Sequence, residues 1–514
     1  MYKPASTLQT GPMLGQILVR AAERFSHKPA LITDTRTLSY AELDALSGRV
    51  AAALAARDIA PGDRVSLYAQ NCWQWVVAYH GILRAGAVVN PINVMLTPTE
   101  VRFVLADCGA RAIFCGAEQA SAILNAAPYV PSVDHVVSFG AGTEGALDFS
   151  ALLAESAPRP NVPPAPPSAL ATIGYTSGTT GHPKGAMQSH RAVFLNCALT
   201  GTMHVRTERD VVVTSLPAPH VYGNVVLNSI FMAGGTVVLM ERFDPEGALE
   251  RIAKYRATLF EGVPAMYMTL LAHPALGRFD LSSLTRCTVG GQTISESVMR
   301  AWEDRTRAPL IELWGMTELA GLGTTHALYA PNVHGSIGVG LPGVDVRVAA
   351  FEDASQTMAT DEPGELMVRG PIVMQGYYGN DKATTEAIEP DGWLHTGDVA
   401  VADAQGYFRL VDRRKDMIIT AGYKVYPAEI ERVLAGHPAV AMSAVGPIAD
   451  QLKGELARAY VVLRPDSSAT EIELIDFCRR HLAAYKLPRS VRFVLDLPKT
   501  STGKIMRRQL RTLD

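Results

Sequence analysis

At 514 residues the chain is too long for one hydrophobic core, and two to four structural units are expected. Hydrophobic residues make up 48% and charged residues 19%, as in soluble globular proteins, and a net charge of −3 with no basic block gives no footprint for nucleic acid. Six cysteines (72, 108, 115, 197, 287, 478) without a C-x-x-C pair argue for reduced thiols in a cytoplasmic protein and against a disulfide or zinc framework, and no apolar run reaches the length of a membrane span.

The opening residues, MYKPASTLQTGPML, lack a basic segment followed by an apolar core, so no secretory signal is expected there. Ser39-Tyr40-Ala41-Glu42 is a capping box that predicts a helix through Ala55. Asp63 to Tyr68 predicts a short strand, Trp73 to Arg84 a helix, and Ala87-Val88-Val89 the start of another strand. Thr97-Pro98-Thr99-Glu100 opens a further helix, with proline at its first position, and Gly109 is its expected stop. Such alternation implies parallel sheets covered by helices. Pro158, Pro160, Pro163, Pro164, Pro166 and Pro167 predict a stiff linker. Alternation resumes from Val211 to about Leu322. From about Gly335 to Leu410, β-rich runs between Gly and Pro turns predict a small barrel-like unit. Beyond the charged run Val411 to Asp416, which reads either as a hinge or as a solvated turn, strands and helices mix again.

After the linker comes Tyr175-Thr176-Ser177-Gly178-Thr179-Thr180-Gly181-His182-Pro183-Lys184-Gly185. Glycines let backbone approach an anion, N–H groups and hydroxyls can bind phosphate oxygens, and the lysine adds charge. Pro183 replaces the second glycine of a Walker A loop and Gly185 its Ser or Thr, so a different kind of triphosphate site is implied.

This string resembles the phosphate-binding signature of the adenylate-forming superfamily: acyl-CoA synthetases, peptide-synthetase adenylation domains and firefly luciferases. The resemblance covers nearly the whole chain. Further motifs follow in the family's order: Leu216 to His220, Gly290-Gly291-Gln292, Trp314-Gly315-Met316-Thr317-Glu318, Gly392 to Asp398, Asp412 to Glu431, and Pro498 to Lys504. It implies an α/β (multidomain α+β) architecture. A large N-terminal domain, 1–411, would hold two helix-covered β-sheets over about 1–330 and the β-rich subdomain over about 335–411. A small mobile α+β C-terminal domain, 412–514, would carry the catalytic lysine.

The chemistry implied is attack of a carboxylate on the α-phosphate of ATP, two anions that need cations and tight placement. By resemblance, Thr176, Ser177, Gly178, Thr179, Thr180 and Lys184 hold the β,γ-phosphates, and Glu318 with Thr176 holds Mg²⁺. Gly290, Gly291, Gln292, Trp314, Gly315, Met316 and Thr317 surround the adenine side. Trp314 stands where the family usually has Tyr and would stack on or border the base. Asp398 takes the ribose hydroxyls, and Arg413 contacts ribose or phosphate. Lys504 is the catalytic residue, bridging the attacking carboxylate and an α-phosphate oxygen, with Thr179, His220 and Glu318 also in the reacting set and Lys499 the competing lysine.

Ala421 to Glu431 resembles the CoA-ligase form of its motif, and no carrier-protein domain fits after Lys504. Gly422, Tyr423 and Lys424 would line a CoA tunnel, entered after rotation about Lys415. The implied reaction is carboxylate plus ATP to acyl-AMP and pyrophosphate, then acyl-AMP plus CoA to acyl-CoA and AMP, with ATP, Mg²⁺ and coenzyme A as cofactors and a small carboxylic acid as partner. A stand-alone adenylating enzyme loading a carrier protein and a non-catalytic nucleotide-binding protein are the alternatives, and a homodimer is left open. The acid pocket would include His220, Val221, Asn224, Val263, Met266, Leu319 and Gly321. With no arginine in those segments, a medium- or long-chain fatty acid is favoured over a dicarboxylic acid, with an aryl acid close behind. Gln292 is expected to hydrogen-bond a polar group of the substrate, and Glu261 to be a solvated strand-end residue.

Overall fold

The computed structural model describes residues 14–158, 165–176, 183–420, 423–450, 454–499 and 505–513. Ser177, Gly178, Thr179, Thr180, Gly422, Lys504 and Pro160, Pro163 and Pro164 of the linker lie outside the described residues.

Local chemistry sets the first helices. Glu42 Oε2 accepts the Ser39 N–H at 2.8 Å while Ser39 Oγ accepts the Glu42 N–H at 3.3 Å, and this box opens helix α1, Tyr40–Ala55. Helix α2, Trp73–Ala85, is buried along nearly its whole length and packs on α1. Thr97 and Glu100 repeat the capping box at helix α3, Pro98–Asp107, with Pro98 in the first turn. Gly109 follows with φ +59°, the left-handed conformation that glycine supplies without strain.

These helices alternate with a seven-stranded sheet whose strands run, in spatial order, through 147–148, 135–138, 110–115, 64–68, 88–91, Leu170–Thr176 (β1) and Lys184–Ser189 (β2). Every pairing is parallel except the last, β1 with β2. A nine-stranded sheet forms the second layer. Its parallel centre includes Leu259–Gly262 (β3), Arg286–Val289 (β4) and Leu310–Met316 (β5), next to one another. Helix α4, Val221–Ala233, precedes the strand at 236–239 and is buried along its length. The two sheets share a continuous apolar core, and a second cluster gathers around Phe260, Tyr267 and Trp302.

The β-rich segment is a four-stranded antiparallel sheet running through 345–349, 364–369, Leu394–Ala402 (β6) and Phe408–Arg413 (β7). Its outer strands do not pair with each other among the described residues, so the expected barrel-like unit is an open sheet. The last unit is a five-stranded sheet over 418–493 with helix α5, Pro427–Ala435, packed on it. Among the described residues no helix is long and apolar enough to cross a membrane.

Candidate active site

The phosphate-loop motif sits on the β1–β2 hairpin. Thr176 and Lys184 face each other across it, so the loop is anchored at its base by two of the predicted phosphate ligands. The segment 374–378 adds to the free edge of β2. Met187 N–H donates to Gly376 O at 2.9 Å, and the N–H groups of Gln375 and Tyr378 donate to Met187 O and Gly185 O, each at 2.8 Å. This places the Tyr377 ring 5.2 Å from Lys184 Nζ and lets its hydroxyl donate to Glu318 Oε1 at 2.9 Å. Glu318 lies in the turn after β5 with 7% of its surface exposed, and burial pushes its carboxyl pKa above the usual range. A neighbouring cation would offset that burial. Among the described residues no cluster of three or more His, Cys, Asp or Glu could hold a metal alone. A single buried carboxylate is compatible with a hard ion that takes its remaining ligands from phosphate oxygens and water.

The residues predicted to meet the ribose and adenine come together from β5, β6 and β7. Asp398 on β6 and Arg413 on β7 are cross-strand partners, and Arg413 Nε lies 3.3 Å from Asp398 Oδ1. Trp314 is buried on β5, and its Nε1–H donates to Asp398 Oδ2 at 2.8 Å. The indole thus holds the carboxylate that the sequence predicts for the ribose hydroxyls. Gly323 must lack a side chain, because a Cβ there would lie 2.5 Å from Trp314 Cζ3. Gly290 packs its backbone against Leu313, where a Cβ would meet Cδ1 at 2.3 Å, and Gly291 turns the chain with φ +87°. Gln292, half-buried, follows in the same turn. A Cβ at Gly315 would meet Gly321 O at 2.1 Å, so the hairpin at Met316 and Thr317 can close only over glycine.

A cavity opens between this hairpin and α4. Gly174, Tyr175, Thr172, Gln188 and Thr317 line it on the side of the β1–β2 and β5 hairpins, and Tyr79, Pro91, Asn93, Pro217, His220, Val221 and Asn224 elsewhere. His220 caps α4, its Nδ1 accepting the Tyr222 N–H at 3.2 Å. Of the predicted acid pocket, His220, Val221 and Asn224 line this cavity. Leu319 is fully buried, a Cβ on Gly321 would meet Asn196 Oδ1 at 2.4 Å, and Val263 and Met266 are also outside the lining. Packing at the β5 hairpin takes Leu319 and Gly321 out of the wall, while Val263 and Met266 belong to the start of the helix at 264–272.

Glu261 corrects the expectation of a solvated strand end. It sits on β3, fully buried, 2.7 Å from Arg206 Nη2, which is buried too. Its Oε2 accepts from Thr288 Oγ1 on β4 at 2.8 Å, and Thr288 accepts in turn from the Tyr222 hydroxyl at 2.6 Å. Arg206 Nη1 donates to Ser229 Oγ at 2.6 Å. The network therefore links β3 and β4 to α4 beneath the cavity.

Lys415 lies in a short 3-10 turn, Arg414–Asp416. Beside it Arg414 Nη1 bonds Glu365 Oε2 at 2.8 Å, and Glu365 and Glu389 flank His395 at 3.2 and 2.8 Å. Arg507, three positions beyond Lys504, joins Asp412, Asp416 and Glu431 at 3.1, 3.0 and 2.7 Å. Tyr423 stacks on Tyr485 at 4.8 Å, and Lys424 Nζ lies 4.3 Å from the Phe351 ring. Tyr377, Tyr79 and Glu365 were not singled out from sequence. An aromatic pair between Gly376 and Gly379 was the available signal for the first, and the other two had none.

The model of the AMP-binding enzyme family matches residues 18–378, and that of the AMP-binding enzyme C-terminal domain matches residues 429–504. A Mycobacterium tuberculosis ligase, 3-[(3aS,4S,7aS)-7a-methyl-1,5-dioxo-octahydro-1H-inden-4-yl]propanoyl:CoA ligase, is 36% identical over 96% of this chain and 98% of its own. A Bacillus subtilis long-chain-fatty-acid–CoA ligase is 32% identical over 99% and 94%. The crystal structure of an anthranilate CoA ligase in complex with anthranoyl-AMP superposes with a TM-score of 0.93, at 28% identity over 99% of each chain.

Proposed function

The chain belongs to the AMP-binding enzyme family, in its acyl-CoA ligase branch, and on that premise we propose how its site divides the work of an AMP-forming acid–CoA ligase. The observation that carries the reading is the meeting of Thr176, Lys184, Tyr377 and Glu318 next to a cavity lined by Tyr175 and Thr317, the chain neighbours of Thr176 and Glu318, whose wall continues to His220 and α4. A nucleotide held by Asp398 and Arg413 at its ribose and by Lys184 and the 177–180 loop at its β,γ-phosphates would present its α-phosphate near Thr317 and Gly174. The acid would lie in the cavity with its carboxylate toward that phosphate. In-line attack then depends on placement and on positive charge. Lys184 and Lys504 supply that charge, Lys504 at the attacking oxygen. Glu318 and Thr176 would hold Mg²⁺, which would supply positive charge beside the phosphates, and the Tyr377 hydroxyl orients the Glu318 carboxylate for it.

Residues 412–514 form the moving part in this reading, turning about Lys415. The turn withdraws Lys504 and brings Gly422, Tyr423 and Lys424 to line the path of the CoA thiol, so that one cavity serves both half-reactions. The acid is a monocarboxylic acid with a largely apolar body, because Pro91, Pro217, Pro219, Val221 and Ala320 form much of the wall and, among the described residues, no Lys or Arg lines it.

The test is to incubate the protein with ATP, Mg²⁺ and a pooled panel of aliphatic and aromatic acids, with and without CoA, and to identify products by mass spectrometry. A CoA thioester is expected. Acyl-AMP that accumulates and ignores CoA would overturn the ligase reading in favour of carrier loading.

A further inference from the structure

One side chain in the cavity wall is oriented more tightly than apolar packing requires. Asn228, buried and one turn along α4, donates Nδ2–H to the backbone carbonyl of Asn224 at 3.0 Å. A carbonyl oxygen can only accept, so the Asn228 amide is fixed with its nitrogen toward Asn224. The same nitrogen lies 3.0 Å from Asn224 Oδ1, which must then be the accepting end of the Asn224 amide. Tyr79 closes the arrangement by donating its hydroxyl to Asn224 Oδ1 at 3.1 Å. Its ring is held in turn by Trp75, stacked at 5.2 Å and 13°. Both inward bonds end on the oxygen. Nδ2 is thus the end of the amide left with donor capacity for a ligand, and Asn224 is a half-buried residue of the cavity wall.

We propose that Asn224 is a specificity-determining residue that donates a hydrogen bond through Nδ2 to a neutral acceptor, a keto, hydroxyl or ether oxygen, in the body of the acid. The inference rests on the ligase reading above and narrows its substrate class. The acceptor is neutral because an amide carries no charge and, among the described residues, no Lys or Arg lines the cavity to pair a second carboxylate. A plain alkyl chain would leave the amino group desolvated and unpaired, and sites built to bond a polar group discriminate against analogues that lack it. The buried Arg206 does not alter this, since Glu261 already neutralises it.

The experiment measures kcat/KM for thioester formation with octanoate, its 4-, 5-, 6- and 7-oxo derivatives, cinnamate and 4-hydroxycinnamate. It compares the native enzyme with Asn224→Leu and Asn224→Asp. Asp at 224 keeps an oxygen for Tyr79 and Asn228 and replaces the donor by an acceptor. At least one acceptor-bearing acid should exceed its plain partner by about tenfold or more in the native enzyme. That ratio should fall to about one in both variants. The ratio is the readout because a packing defect lowers both acids together and leaves it unmoved. A native ratio near one for every pair, or a high ratio that survives both substitutions, overturns the proposal while the ligase reading stands. If no acid yields a thioester, the ligase reading fails and this proposal with it.

Discussion

Glu261→Gln removes one charge from the buried pair with Arg206 while keeping the side chain's shape and its bond from Thr288. Two unit charges 2.7 Å apart attract by about 6 kcal/mol at an effective dielectric of about 20. The cost of taking Arg206 out of water is unchanged by the substitution, and the glutamine carbonyl recovers part of the attraction as a neutral hydrogen bond. The expected loss is therefore about 3–5 kcal/mol, the usual penalty for a buried charge left uncompensated and a large share of ordinary domain stability. Urea denaturation followed by far-ultraviolet circular dichroism measures it as a drop in the midpoint of the transition. The double variant Arg206→Met with Glu261→Leu removes both charges and should return to within about 1 kcal/mol of the native protein. A loss below about 1 kcal/mol for Glu261→Gln, or a double variant no better than the single, would refute the claim that the pair is electrostatically closed.

Trp314→Phe deletes the bond to Asp398 and should raise the KM for ATP about tenfold, with the KM for the acid little changed; steady-state kinetics with each substrate varied decides it, and an unchanged KM for ATP counts against the assignment. Lys504→Ala should slow acyl-AMP formation about a thousandfold, yet leave CoA capture of supplied acyl-AMP largely intact, and equal loss in both assays would remove the division of labour. The hydrogen bond to Glu365, with that to Glu389, raises the His395 pKa above its ordinary 6.5 against an opposing effect of burial. The folded value being the higher one, the stabilisation is complete below the ordinary pKa and fades as pH rises through the raised value. His395→Gln should accordingly lower the thermal midpoint more at about pH 6 than at about pH 9, and an equal loss at both would contradict the charged pairing.

What was legible in the sequence was either local or carried by contiguous motifs. Ser39 with Glu42, and Thr97 with Glu100, declare their helices because both partners lie within one turn. The hairpin bearing Thr176 and Lys184 is legible as one contiguous motif, whose composition already states an affinity for anions. Glu261 was misread because its partners arrive from elsewhere: Thr288 is 27 positions away and reaches it only through strand pairing. The bond from Trp314 to Asp398 spans 84 positions, and that from Tyr377 to Glu318 spans 59. Leu319 and Gly321 look like pocket residues by composition, but the tight β5 hairpin turns them into its packing.

The bond between Trp314 and Asp398 also gives the protein a built-in optical gauge. Of the five tryptophans, Trp75 and Trp302 are sealed in apolar cores, and Trp393 lies between Arg347 and Arg369. Trp314 is the tryptophan whose Nε1–H bonds the carboxylate assigned to ribose, so a sugar engaging Asp398 changes the electric field along that indole. Its emission can therefore follow nucleotide arrival and departure in real time, on unlabelled protein and without turnover, and a phenylalanine at 314 provides the blank.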